Sequence, residues 1–200
     1  MSYAIIGFGA VGQALARMFA RKGIEVAVAS RRAPEALVPQ ARAIGPTIVP
    51  KALEDALEAD IVLLAVPYWQ HREVAKARAS WNGKIVIDVT NAYGVPIEEL
   101  AGLPPSAVIA LAMPGVRLVK AFNHLPARIL AEDPSINGGR RVVFLSSDDE
   151  SAAATVAALA ERLGYAPVGL GKIAEGGQLV QGWGKIWGAL IFQDLFKKEQ

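Results

Sequence analysis

Short apolar runs alternate with stretches of helical periodicity along the whole chain. "YAIIGFG" is apolar and ends in glycines, which predicts a buried strand entering a turn. "AVGQALARMFARKG" then sets Val11, Leu15, Met18 and Phe19 at helical spacing, with Arg21 and Lys22 in the last turn and Gly23 as the stop. "IEVAVAS" predicts a second strand, "TIV" a brief third, "KALEDALEA" a helix, and "DIVLLAVP" a fourth strand ended by Pro67. Residues 71–80 are expected to be helical, "KIVIDVTN" a strand, residues 106–113 a short helix, and "VRLVKAFN" a strand. "RRVVFLSS", "DDESAAATVAALAERLG" and "APVGLG" predict strand, helix and strand. Residues 175–196 predict a final helix, with Leu179, Trp183, Trp187, Leu190 and Ile191 along one face.

Strands that are apolar almost without interruption, separated by helices, imply a mostly parallel sheet covered on both faces. The expected class is α/β, doubly wound. No long polar linker or repeat interrupts the pattern. Residues 1–200 are therefore read as one domain, with a small C-terminal strand–helix extension over about 140–200.

Composition narrows the chemistry. The 200 residues are 52% hydrophobic and 20% charged, an ordinary globular balance, and the net charge of +2 gives no support to a nucleic-acid-binding role. The absence of cysteine removes disulfides and thiolate metal sites, and His71 and His124 are the only histidines, so no metal site is expected. The opening residues carry no signal-peptide pattern, and "GWGKIWGALIFQDLF" is too short and too charged to span a membrane. The expectation is a cytoplasmic protein with no membrane partner.

The first turn carries the sharpest signal. Gly7, Gly9 and Gly12 form G-x-G-x-x-G where the first strand becomes the first helix, which is the context that fingerprint needs. Gly7 permits the tight turn, Gly9 lets a pyrophosphate approach the backbone, and Gly12 allows close helix–strand packing. The pattern predicts a Rossmann-type fold that binds a dinucleotide at the helix N-terminus. From Gly12 to Arg31 is 19 positions, close to the place where an acid would read the ribose of NAD. Ser30, Arg31 and Arg32 stand there instead. A hydroxyl and two guanidinium groups suit a 2′-phosphate, which predicts NADP(H).

In such a sheet the ligand lies across the carboxyl ends of the strands. The residues expected around the cofactor are Gly7, Phe8, Gly9, Ala10, Val11, Gly12, Ser30, Arg31, Arg32, Ala65, Val66, Pro67, Trp69, Asn91 and Ala92. Tyr68, Tyr93, Asn123 and His124 complete an aromatic, largely uncharged rim that suits a flat ring stacked on nicotinamide. Asn123 and His124 are the expected catalytic residues. Asp88 is read as a structural acid bonded to nearby backbone N–H groups, and Lys120 as a member of a salt bridge or as a snorkelling side chain. Hydride transfer between two rings needs alignment more than acid–base groups, so the lack of a nucleophile–base pair is compatible with it.

"IIGFGAVGQALA", "VASRR", "LLAVP", "KAFNHLPA", "SSDDES" and "GLGKIAEGGQLVQGW" fall in an order that resembles the coenzyme F420-dependent NADP oxidoreductases over nearly the whole chain. "KAFN" is also similar to the reductase domain of the six-transmembrane ferric reductases. The resemblance implies an NADP-binding Rossmann core and hydride transfer between NADP(H) and a second ring cofactor, either F420 or a flavin (FMN or FAD). It also implies a homo-oligomer, here expected to be a homodimer formed through the C-terminal helix. Two alternatives stand beside it. One is an NADPH-dependent reductase of a small imine or keto substrate, with a proton from His124, Tyr68, Tyr93 or Lys120. The other is a non-catalytic NADPH-sensing module.

Overall fold

In the computed structural model, which describes residues 1–136 and 138–198, the predicted alternation becomes a central sheet with helices on both faces. The first half runs β1 (Tyr3–Ile6), α1 (Ala10–Arg21), β2 (Val26–Ala29), α2 (Val38–Ile44), β3 (Ile48–Pro50), α3 (Leu53–Ala56), β4 (Ile61–Leu64), α4 (His71–Lys76) and β5 (Ile85–Asp88). Next come β6 (Ala92–Tyr93), α5 (Pro105–Ala112), β7 (Arg117–Ala121), α6 (Ala127–Leu130) and β8 (Ser135–Ile136). The chain continues with β9 (Gly139–Ser147), α7 (Glu150–Arg162) and β10 (Ala166–Gly169).

The sheet order is β10-β9-β7-β5-β4-β1-β2-β3. From β3 to β7 every pair is parallel, and the order is that of a Rossmann fold. β9 then joins β7 antiparallel and β10 joins β9 parallel, so the extension adds a strand–helix–strand unit of opposite direction. The unbroken apolar runs follow from two buried faces. Tyr3 and Ile5 of β1 pack towards α1, α6 and α7, while Ala4 and Ile6 pack towards α3, α4 and α5.

The last predicted helix is not there. Residues 175–196 form instead a 3₁₀ turn (Gly176–Val180), then β11 (Gly182–Gly184) and β12 (Ile186–Trp187) in an antiparallel hairpin. β13 (Phe196–Lys198) pairs with β9. Five glycines between 176 and 188 explain the difference, each disfavouring a helix by about 1 kcal/mol relative to alanine. Gly182 also lies so near Tyr93 that a Cβ would fall 2.1 Å from its ring. The segment is a strap. It lies along β6 through Trp183 and Gly184, beside the carboxyl ends of β5 and β7.

Candidate functional site

β1 and β4 are neighbours whose onward connections run to opposite sides of the sheet, which opens a crevice at their carboxyl ends. A cleft of about 430 Å³ occupies this place, lined by Gly7, Phe8, Gly9, Ser30, Arg31, Arg32, Ala65, Val66 and Pro67 among others. Nine of the residues expected around the cofactor thus meet in one groove. Another hollow, of about 490 Å³, sits beside the amino ends of β1 and β2, the wrong end of an open α/β sheet for a nucleotide.

The turn at the cleft floor is built by close backbone approach. Gly7 has φ +100°, and a Cβ there would lie 2.3 Å from the Ala65 carbonyl oxygen. A Cβ on Gly12 would lie 1.9 Å from the carbonyl oxygen of Gly7, so α1 can rest on the turn only with glycine at that position. Around Gly9 the corresponding space is open. Gly9 is also the N-cap of α1, and no side chain caps the helix. The first-turn N–H groups of Ala10, Val11 and Gly12 therefore lack intrahelical partners and face a cleft with room at Gly9. That arrangement fits a pyrophosphate.

At the other end, Ser30 follows β2 and its hydroxyl accepts from the Arg32 N–H at 3.1 Å. Arg31 and Arg32 are exposed, and the Arg32 guanidinium donates to the Gln40 side-chain oxygen at 3.2 Å. Neither arginine forms a salt bridge among the described residues, so both charges face the cleft mouth without a bound carboxylate. The chemistry of the donor set fits a phosphate monoester. The same cleft brings in Leu53, Gln70, Glu73 and Val74, which sequence reasoning missed. Gln70 to Val74 could have been found from their place on the turn and helix after β4. Glu73 already has a cationic neighbour, Lys76, at 3.0 Å.

The rim differs from expectation. Trp69 is 65% exposed beside the cleft. Asn91 and Asn123 form a reciprocal amide pair: Asn91 Nδ2 donates to the Asn123 carbonyl at 2.9 Å, and Asn123 Nδ2 donates to Asn91 Oδ1 at 3.0 Å. Both also hold the strap. Asn123 Nδ2 donates to the Val180 carbonyl at 2.5 Å, and Asn91 Oδ1 accepts from the Gly182 N–H at 3.1 Å. Ala92 is fully buried under this junction.

His124 is not at the rim. It is fully buried edge-on to Phe144, with ring centroids 5.0 Å apart, and neither ring nitrogen makes a hydrogen bond of good geometry among the described residues. Burial pushes its pKa down to about 4, only partly opposed by the nearby Val142 backbone and Asp194. The expectation of a histidine facing the cleft is thus corrected. Phe122, two residues earlier, has φ +61°, a strained value for a bulky residue, and its ring packs edge-on against Tyr165. That bend turns His124 inward.

Two other titratable groups near the rim are also unsuited to proton transfer near neutral pH. The Tyr68 hydroxyl donates to the Pro105 carbonyl, and burial pushes its pKa up. His71 bonds the Tyr68 carbonyl through Nδ1 at 2.6 Å, and burial lowers its pKa. Asp88 and Lys120 form a sealed salt bridge at 3.1 Å, both wholly buried; Asp88 also takes the expected backbone N–H, that of Thr90, but its pairing with Lys120 was not foreseen.

Residues 2–92 match the sequence pattern of the family described as NADP oxidoreductase, coenzyme F420-dependent. The N-terminal part of the chain, 91 of its 200 residues, is thus similar to this family. The matched part contains the whole cleft. A solved structure of the hypothetical protein SMa0349 from Sinorhizobium meliloti is 38% identical, with a TM-score of 0.91 over 98% of this chain and 96% of that one. A candidate F420-dependent NADP-reductase from Arthrobacter sp. FB24 is 26% identical, with a TM-score of 0.71 over 86% of each chain. Among curated relatives, a glycerol-3-phosphate dehydrogenase [NAD(P)+] of Chlorobium luteolum is 30% identical over 165 residues, which are 71% of this chain and 49% of that protein. Metalloreductase STEAP3 of Rattus norvegicus is 28% identical over 174 residues, 85% of this chain and 34% of that protein. The chain thus spans about half the length of the first and a third of the second. Three of these four are named as dehydrogenases or reductases, two of them for a nicotinamide cofactor.

Proposed function

We propose that the chain is an NADP(H)-dependent oxidoreductase that passes hydride between NADP(H) and a second ring cofactor, F420 or a flavin. One observation carries the reading: the bare N-terminus of α1 and the Ser30–Arg32 corner lie in one continuous cleft at the carboxyl ends of β1, β2 and β4. Nicotinamide supplies the hydride when bound. The first turn of α1 holds the pyrophosphate through backbone N–H groups, and Arg31 and Arg32 hold the 2′-phosphate. Residues 1–200 serve as one nucleotide-binding unit, with β9 to β13 as its extension.

The groups around the rim favour ring-to-ring transfer over reduction of a small imine or ketone. That second chemistry needs a proton donor at the reacting atom. His124 is buried, Lys120 is sealed and the Tyr68 hydroxyl is engaged, while the Tyr93 ring is stacked on Trp187 of the strap and burial pushes its pKa up. Transfer between stacked rings asks only for proximity and alignment. The sensor reading draws on one observation, the engagement of Asn91 and Asn123 with the chain's own strap. We also propose that two copies associate through the strap, as a soluble cytoplasmic dimer.

The test is anaerobic NADPH oxidation by the purified protein, offered F420 and then FMN. Turnover with F420 alone identifies the deazaflavin as partner, and turnover with FMN assigns a flavin. Tight NADPH binding with no turnover on either acceptor would abandon ring-to-ring transfer in favour of the sensor.

A further inference from the structure

Asp88 and Lys120 are paired neighbours on β5 and β7, and the chemistry proposed above uses neither. A buried ion pair is a poor device for stability, since apolar residues of similar size hold a core as well or better. Its contacts suggest another use. Asp88 Oδ1 accepts from the Thr90 N–H at 2.8 Å and from the Thr90 hydroxyl at 2.7 Å. Asp88 Oδ2 accepts from the Ser106 hydroxyl at 2.6 Å and from Lys120 Nζ. Lys120 Nζ also donates to the carbonyl oxygen of Thr90. The acid therefore grips the N–H of Thr90 and the base grips its C=O.

A consequence follows from peptide geometry alone. The Thr90–Asn91 peptide is planar and trans, so its N–H points opposite to its C=O. With the carbonyl drawn down to Lys120, the Asn91 N–H is turned away from the buried pair. It makes no backbone hydrogen bond in this turn among the described residues. It stands at the carboxyl end of β5, the strand beside β4, whose own end forms the Ala65–Pro67 wall of the cleft. The Asn91 side chain is committed elsewhere, to Asn123 and Gly182. The free group at this corner is the backbone donor.

We propose that Asp88 and Lys120 are a positioning pair that locks the Thr90–Asn91 peptide, so that the Asn91 N–H donates a hydrogen bond to the carboxamide oxygen of the nicotinamide. The proposal rests on the NADP(H) reading and deepens it. It names the group that orients the ring, which a stacked transfer requires.

The experiment separates the two halves of the cofactor. Adenosine 2′,5′-bisphosphate carries the phosphate-binding half and lacks nicotinamide. In wild-type protein, the Asn91 amide resonance is expected to shift when NADP⁺ is added and to stay in place with the bisphosphate. In the double variant Asp88→Asn/Lys120→Met, which leaves no lone charge buried, the Kd for NADP⁺ is expected to rise about tenfold while that for the bisphosphate is unchanged. An unmoved Asn91 resonance with NADP⁺ bound would overturn the proposal, as would a parallel loss of both ligands in the variant. Should wild-type protein bind neither ligand, the NADP(H) reading itself fails. The wild-type measurement needs no variant to fold.

Discussion

In the proposed function, three consecutive residues carry the cofactor preference. Ser30, Arg31 and Arg32 sit where β2 delivers them to the cleft, and no acid replaces them at that corner. A charge-assisted hydrogen bond contributes roughly 1.5–3 kcal/mol, and solvent exposure reduces this at the cleft mouth. The Arg31→Ala/Arg32→Ala variant should therefore lower the NADPH-to-NADH affinity ratio by roughly ten- to hundred-fold. Fluorescence titration with the two nucleotides measures it, and an unchanged ratio would remove the assignment. This corner was legible because its signal is local: a glycine turn, a strand and a fixed spacing. His124 was not, because its burial depends on a strained bend at Phe122 and on Phe144 from a distant strand. Its depressed pKa has a measurable effect. Unfolded histidine titrates near 6.5 and the folded one near 4, so the unfolded chain binds the extra proton between these values. Stability is then fully present above about pH 6.5 and falls by about 3 kcal/mol as the pH drops to 4. In urea melts at several pH values, His124→Leu should lose that part of the slope. An identical slope in both proteins would show that His124 is not the titrating group.

Elements inside the sheet were legible because period and burial agree, and the one full misreading lies outside it. Residues 175–196 space their large apolar side chains as a helix would, but the glycines among them argue for extended chain, and glycine content was the signal to weigh. What the sequence could not reveal is the strap's landing site, since the Asn91–Asn123 pair joins residues 32 apart and then reaches Val180 and Gly182. α7 is the opposite case: its acidic start and Gly164 stop were readable and both are present. Asp149 caps it by accepting from the Ala152 N–H at 2.8 Å, and its carboxylate also takes both arms of Arg117, at 2.7 and 3.1 Å. The Arg117 guanidinium, with the Ala152 N–H, holds the Asp149 pKa down to about 2. This stabilisation is full above the ordinary carboxylate range and is lost as the pH falls towards 2. Asp149→Ala should cost about 1–2 kcal/mol of stability at neutral pH, mainly through the cap. Denaturant unfolding checks it, and a change under 0.3 kcal/mol would mean that water replaces the cap at no loss.

At the scale of the molecule, the strap leaves a surface that a lone copy covers badly. Trp187 stacks on Tyr93 at 4.8 Å and touches Phe192 at 5.5 Å, yet the three remain 52%, 39% and 48% exposed, and Phe196 is 39% exposed. With roughly 150–250 Å² for each ring, these four leave about 350 Å² of aromatic surface open. Ile186, Leu179 and Leu195 extend it, each more than two-fifths exposed. A standard interface takes about 800 Å² from each partner and is a little over half apolar, so about 450 Å² of apolar surface suffices. The exposed residues around the strap together offer about that amount, and β12 is the edge strand of its small sheet, with both residues exposed. A second copy would bury the same patch against itself, the usual geometry of a two-fold dimer. Light scattering on the wild-type protein should therefore give twice the 21.2 kDa chain mass, and Trp187→Glu/Phe192→Glu should give the single mass with the NADPH affinity retained. A wild-type protein that runs at 21.2 kDa across the micromolar range would refute the self-association. The patch would then need a different partner, and the ring acceptor itself becomes the first to try.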